Sequence, residues 1–311
     1  AAPVNRTRSP NVETQTQTYQ QDGIGLQRRV TKTPVGSLTS VHRPLGGAQV
    51  ERTTWLVEPP FRSPDDYRVL EFMAQDRQYE PCFDVFEASV AAMGGEAFFK
   101  TGAPGCALHT ILYSYMGPEQ FAIEWAERRE RILSLCAAMI ANERVVYEIV
   151  AQSPALLVQC GGNYAPEMLG LERFTDHVLP HWDAAAAVLH EGGKQLGCHL
   201  DANNVIWADQ VGASPLDWIE AFSPAPDTDM SLAQARAAWP GKTMFINFPS
   251  SVHLQSAETI ATTTRQLIIE SAPGDRFVVG ITENVPENRW RESFRVILDT
   301  LNAEGRLPIR V

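Results

Sequence analysis

Apolar positions recur along this chain in two textures. In the first fifty residues single apolar side chains alternate with Thr, Gln and Arg, as in Val12-Glu13-Thr14-Gln15-Thr16 and Leu26-Gln27-Arg28-Arg29-Val30. A period of two predicts exposed antiparallel strands. Gln20-Gln21-Asp22-Gly23 supplies turn chemistry, with Gly23 free to take a positive φ, so Val12–Tyr19 and Ile24–Thr33 are predicted to pair as a hairpin. The segment from Thr33 to Thr39 continues it, and Arg52–Glu58 forms a further strand.

From Ser63 onward the pattern changes to helices alternating with short apolar runs. Ser63 as N-cap and Pro64 at the first helical position mark a helix start. Further helices are predicted over 81–93, 106–116, 118–129 and 131–151. The strands that follow the same reading are Ala97–Thr101, Leu156–Cys160, Gln195–Leu200, Trp218–Phe222, Thr243–Asn247 and Phe277–Ile281, short and apolar on both faces. Between them lie helices over 171–192, 203–211, 231–238, 256–271 and 286–304. Residues 1–62 are thus expected to be a β-hairpin appendage and 63–311 the domain that carries the active site.

Strands covered on both faces and joined by helices make a parallel sheet, because parallel neighbours need a long crossover. A (β/α) barrel is the leading architecture and an open doubly wound sheet the alternative. No Gly-x-Gly-x-x-Gly and no Gly-x-x-x-x-Gly-Lys-Ser/Thr occurs, which removes the usual support for dinucleotide or P-loop binding. Six strands are legible where a closed barrel has eight.

With 311 residues and 44% hydrophobic side chains the chain can organise one large core. A net charge of −11 argues against sequence-independent nucleic-acid binding, since an acidic surface repels phosphates. The richest apolar run, Ala184 to Leu189, falls far short of the ~20 residues a bilayer requires. The five cysteines are odd in number and sit in apolar stretches, as expected of buried thiols in a cytoplasmic protein.

In a barrel, catalytic side chains stand just past the C-terminal ends of the strands. Those ends read Cys160-Gly161-Gly162-Asn163-Tyr164, His199-Leu200-Asp201, Glu220-Ala221-Phe222, Asn247-Phe248-Pro249 and Thr282-Glu283-Asn284. His199 and Asp201, two apart on a strand, point to one face. Such a pair binds a metal, works as an acid–base couple, or is two core residues hydrogen-bonded together. Cys160, Glu220 and Glu283 occupy neighbouring ends and with His199 would make an acceptable open zinc set. Glu220 reads equally as a cap of the next segment, and Glu283 as a helix-entry carboxylate. His253 belongs to a loop.

Gly161-Gly162-Asn163-Tyr164, Val178-Leu179-Pro180, Gly192-Gly193-Lys194, His199-Leu200-Asp201 and Asn247-Phe248-Pro249-Ser250-Ser251 together resemble the uroporphyrinogen decarboxylase-like superfamily. Within it, Thr33-Pro34-Val35-Gly36-Ser37-Leu38-Thr39 and the stretch from Gly280 to Trp290 look like the methyltransferase branch that serves corrinoid proteins. The resemblance covers about residues 12 to 304. It implies a (β/α)8 TIM-type barrel with a β-hairpin after the second strand. Because the hairpin here is N-terminal, the first one or two barrel strands would be missing from this chain, clipped away or reduced to Ala1–Val12. Another segment or subunit, a homodimer partner included, would then cover the apolar edges.

The resemblance further implies transfer of a methyl group from a small methylated substrate, such as a methyl ether, to a corrinoid on a partner protein. His199, Asp201 and Glu283 are the implied catalytic residues, and Asn163, Tyr164, Asn247 and Glu220 the substrate-binding ones. Zinc, where the family holds it with His-x-Cys and a later Cys, would here need a substituted site of His199 and Glu283 with Cys160 or Asp201. The alternative within enzymes is a carboxy-lyase of the decarboxylase type, which calls for basic side chains at the rim. A third reading is a non-catalytic binder of a tetrapyrrole or a partner.

Overall fold

The chain enters through β1 (Asn5–Arg8) and a long hairpin of β2 (Glu13–Gln21) and β3 (Ile24–Thr33). The computed structural model describes residues 2–44, 54–281 and 285–310. At the hairpin turn Asp22 and Gly23 both take positive φ, 52° and 76°, which is what a two-residue primed turn requires. β4 (Gly36–Pro44) and β5 (Thr54–Glu58) complete an antiparallel sheet in the order β2-β3-β4-β5. Arg52, the start of the predicted fourth strand of this sheet, lies outside the described residues. Leu38 and Val41 of β4 are buried, and this strand packs against the helix Asp66–Asp76. Gly36 makes that approach: a Cβ there would stand 2.9 Å from Val69 Cγ2.

That helix begins three residues after the predicted cap. The Asp66 carboxylate turns back to accept from the backbone N–H groups of Arg62 (2.7 Å) and Ser63 (2.9 Å), so Ser63 and Pro64 form the turn before the helix. β6 (Gln78–Pro81) pairs antiparallel with β1, a polar two-stranded ribbon whose short elements give no periodic signal in the sequence. The helix Arg129–Gln152 buries Ile132, Leu135, Cys136, Met139, Val146, Tyr147 and Val150, the three-and-four spacing of one helical face. These elements lie in one compact unit, Ala2–Ala97 with Pro104–Pro154.

The second unit, Phe98–Ala103 with Ala155–Val311, is built on a six-stranded sheet. Its strands are β7 (Lys100–Ala103), β8 (Leu157–Gly162), β9 (Gln195–His199), β10 (Trp218–Phe222), β11 (Thr243–Asn247) and β12 (Phe277–Gly280). All neighbours are parallel and in sequence order, from β7 to β12 without reversal. A doubly wound sheet reverses its strand order in the middle, so this topology is of the TIM-like kind. Among the described residues β7 and β12 are its two edges.

One sheet face is dry, with Val158, Cys160, Leu196, Cys198 and Ile219 at 0% exposure. The other face differs from the uniformly apolar one the sequence suggested. Register places His199 beside Glu220, and Glu220 beside Phe245, so these side chains share a side, and all three are half-buried. The predicted helix over 171–192 is present as Leu171–Glu191 with a π-helical stretch at Phe174–Val178. The last helix starts at Trp290 because Pro286 to Arg289 close a turn first. Among the described residues no helix is long and apolar enough to cross a membrane.

Candidate functional site

His199 ends β9 on the half-open face, and two local irregularities hold it there. β8 carries a bulge between Gln159 and Gly162 that brings Gly162 opposite His199, where a Cβ would lie 2.6 Å from His199 Cβ. Any larger residue at 162 would push the imidazole away. β10 carries a second bulge after Glu220, with Ala221 in the left-handed region at φ 58°. Below the imidazole, Gly197 leaves room for the Trp218 ring, which an added Cβ would meet at 2.0 Å.

The imidazole is clamped between two carboxylates. Nδ1 lies 2.5 Å from Glu220 Oε2 and Nε2 lies 3.1 Å from Asp201 Oδ2. The far oxygen of Glu220, Oε1, accepts from Lys100 Nζ at 2.7 Å. Two cations and two anions therefore form a chain, Lys100–Glu220–His199–Asp201, across β7, β10 and β9. Burial disfavours the charged imidazole, but the hydrogen bonds to Asp201 and then Glu220 outweigh it and raise the His199 pKa from 6.5 to about 9. Burial likewise works against the Glu220 anion, and the bonds from His199 and Lys100 overcome it, lowering its pKa to about 2. At neutral pH the site holds an imidazolium and an ionised Glu220.

An apolar floor continues the face toward the start of the strands. Phe98 packs on Phe245 at 5.5 Å, Phe245 meets Trp218 edge-on at 5.6 Å, and Lys100 Nζ stands 6.0 Å over the Trp218 ring. Above the site the loops are laced together. Asn203 donates to Glu167 Oε1 (2.8 Å) and accepts from Asp229 N (3.1 Å), Asp229 Oδ1 accepts from Asn204 N (2.9 Å), and Ser251 bonds Asp227. The loops after β8, β9, β10 and β11 are thus braced against one another.

Of the residues singled out in the sequence, His199, Asp201 and Glu220 are brought into direct contact. Asn247 shares their face by the alternation of β11, is 1% exposed, and donates Nδ2 to Ala221 O (3.3 Å), which steadies the β10 bulge. Asn163 is exposed, one residue beyond Gly162, with φ 57°. Tyr164 is 1% exposed, its ring edge-on to Phe174 (6.0 Å) and Trp182 (5.9 Å) in an aromatic core. Cys160 lies on the dry face, 3.0 Å from His181 Nε2, whereas His199 points to the half-open side. Glu283 lies outside the described residues. Among the described residues, which do not include Glu283, no group of three or more His, Cys, Asp and Glu side chains is placed to hold a metal ion.

Lys100 is the member that the sequence reading missed. A single charge inside Phe98-Phe99-Lys100-Thr101 was the available signal, since a buried ammonium needs a partner. His253, expected in a loop, sits in a buried 3₁₀ turn with Nδ1 2.5 Å from Ser293 Oγ, and burial lowers its pKa.

No protein-family model matches the chain, and no curated protein matches it. Among solved structures it is similar to a methyltransferase from Methanosarcina mazei, with a TM-score of 0.55 at 8% identity, over 82% of this chain and 73% of that one. A muconate cycloisomerase from Pseudomonas fluorescens aligns over 96% of this chain and 78% of that one, at a TM-score of 0.32 and 12% identity. At such identity the first likeness establishes a shared fold.

Proposed function

We propose that the protein transfers a methyl group from a small methylated substrate, such as a methyl ether, to a corrinoid cofactor carried by a partner protein. The observation that carries this reading is the imidazolium of His199, held charged at the strand ends on the half-open face of the sheet. The shared fold with a methyltransferase agrees with it.

A heteroatom that loses a methyl cation keeps the bonding electron pair and needs a proton or an equivalent positive group as the bond breaks. His199 can deliver that proton from Nε2, which it now directs at Asp201 Oδ2. On binding, the donor heteroatom takes the place of Asp201 at Nε2. As the carbon–heteroatom bond breaks, the Nε2 proton moves to the leaving atom and His199 becomes neutral. Glu220, fixed by Lys100, retains the Nδ1 hydrogen bond and orients the ring throughout. Asp201 then re-engages Nε2 once solvent has returned the proton. Asn163 adds an exposed amide at the mouth for orienting the substrate.

A reduced corrinoid, when bound, supplies the nucleophile that accepts the methyl group. Both nitrogens of His199 face carboxylates, and the chemistry that these residues supply to the leaving atom is proton transfer. The carboxy-lyase alternative needs cations available to substrate carboxylates, and Lys100 on this face is already paired with Glu220.

The test is formation of methylcobalamin, followed by absorbance, from reduced cobalamin and a panel of methyl ethers, methylamines and methyl thioethers. Turnover with one donor class, lowered at least a hundredfold in His199→Gln, is the expected result. Turnover unchanged in that variant, or none with any donor, contradicts the proposal.

A further inference from the structure

At the opposite end of the same strands lies a polar cavity that the methyl-transfer reading does not use. Its volume is about 400 Å³, and Gln195, Asp217, Lys242, Thr243 and Arg276 are among its walls. A smaller one of about 140 Å³, lined by Arg236 and Asp275, shares Gly241, Lys242 and Arg276 with it. Gln195 opens β9 and His199 closes it, four residues or ~13 Å along the strand at ~3.3 Å per residue. The two sites are therefore separate.

Lys242 is only 8% exposed although charged side chains are seldom buried unpaired. Its ammonium donates to the carbonyls of Ser214 (2.8 Å) and Leu216 (2.7 Å), which leaves one of three N–H groups over. Burial depresses its pKa, opposed by Asp217. Asp217 itself is already engaged, its Oδ2 accepting from Leu196 N (2.7 Å) and lying 2.9 Å from His190 Nε2. Asp275 pairs with Arg236. The Arg276 guanidinium has no hydrogen-bond or ion-pair partner among the described residues. It lies along Gly241, where a Cβ would stand 3.4 Å from Nη1, and its backbone is held at φ 51°. A non-glycine residue in that region carries strain that packing elsewhere must hold.

We propose that this cavity binds a phosphate group, free or on a small organic molecule. A planar guanidinium fork and a point-charge ammonium around one space are the pair that phosphate oxygens engage. Thr243 and Gln195 add neutral donors at the wall. The volume falls within the ~300–1,000 Å³ of small-molecule sites, which leaves room for an organic body beside the phosphate.

Calorimetric titration of the full chain with inorganic phosphate, and separately with glycerol 3-phosphate, at an ionic strength held constant with sodium chloride, tests this. Saturable binding of at least one ligand is expected. Tighter binding of the ester identifies a phosphorylated molecule as occupant, and equal affinity identifies free phosphate. Arg276→Gly keeps the left-handed backbone and removes the guanidinium, so it should fold and bind at least tenfold more weakly, with Arg276→Lys intermediate. Lys242→Met should lose binding too; where it fails to fold, Arg276→Gly decides. No saturable binding of either ligand, or unchanged affinity in Arg276→Gly, overturns the proposal. Methyl transfer at the His199 site is unaffected in Arg276→Gly, so the two proposals fail independently.

Discussion

The clamp on His199 makes stability depend on pH in a defined window. Its folded pKa of about 9 exceeds the ordinary histidine value of 6.5, and at 1.36 kcal/mol per pKa unit the imidazolium contributes about 3 kcal/mol to the folded state. The side chain is 22% exposed, so solvent screening takes little of this. A raised pKa means the contribution is fully present below pH 6.5 and is lost as pH rises through 9. The depressed Glu220 pKa of about 2 sets the other limit, with stability lost as pH falls from 4.5 toward 2. Both shifts describe the same contacts and are not additive. Urea denaturation followed by tryptophan fluorescence, in wild type and His199→Gln from pH 6 to 10, checks the alkaline limb. The free-energy difference between the two proteins should shrink by about 3 kcal/mol across that range. A difference that stays constant would refute the charged clamp.

Gly162→Ala places a Cβ 2.6 Å from His199 Cβ, and should cost ~1–3 kcal/mol of stability and displace the His199 ring resonances in NMR spectra. Gly102→Ala, with nothing within 4 Å of the added Cβ, should change stability by under ~0.5 kcal/mol. Lys100→Met removes one of the two cations on Glu220; an NMR titration should show the Glu220 pKa rising from about 2 and the His199 pKa rising above about 9. A fall in the His199 value would mean that Lys100 acts on Glu220 only sterically.

Where side-chain period and chain punctuation agree, the structure follows the pattern. Trp218–Phe222 and Thr243–Asn247 form as read, and Asp22-Gly23 turns as its residues require. The helix at Asp66 starts late because the Asp66 carboxylate turns back to accept from the backbone N–H groups of Arg62 and Ser63, which holds residues 62–65 in a turn ahead of the helix. In the site, His199 and Asp201 were legible because they lie two residues apart at one strand end, His199 closing β9 and Asp201 following in the loop, close enough in sequence to meet without tertiary information. Lys100 was not, since its contact with Glu220 spans β7 and β10, which are not neighbours in the sheet. Cys160 and Tyr164 show the converse. Both stand beside glycines at a strand end, but the bulge in β8 and the aromatic core around Trp182 decide where they point, and neither leaves a trace in spacing.

The most direct test of the central claim is the pH profile of single-turnover methyl transfer to cobalamin in wild type at donor concentrations well below saturation, where the rate reports the ionisation of the unliganded site. A charged His199 acting as the acid predicts a rate that is level through neutral pH and falls with one ionisation near pH 9, a limb absent from the residual rate of His199→Gln. A rate that keeps rising through pH 9, or the same limb in His199→Gln, would contradict it.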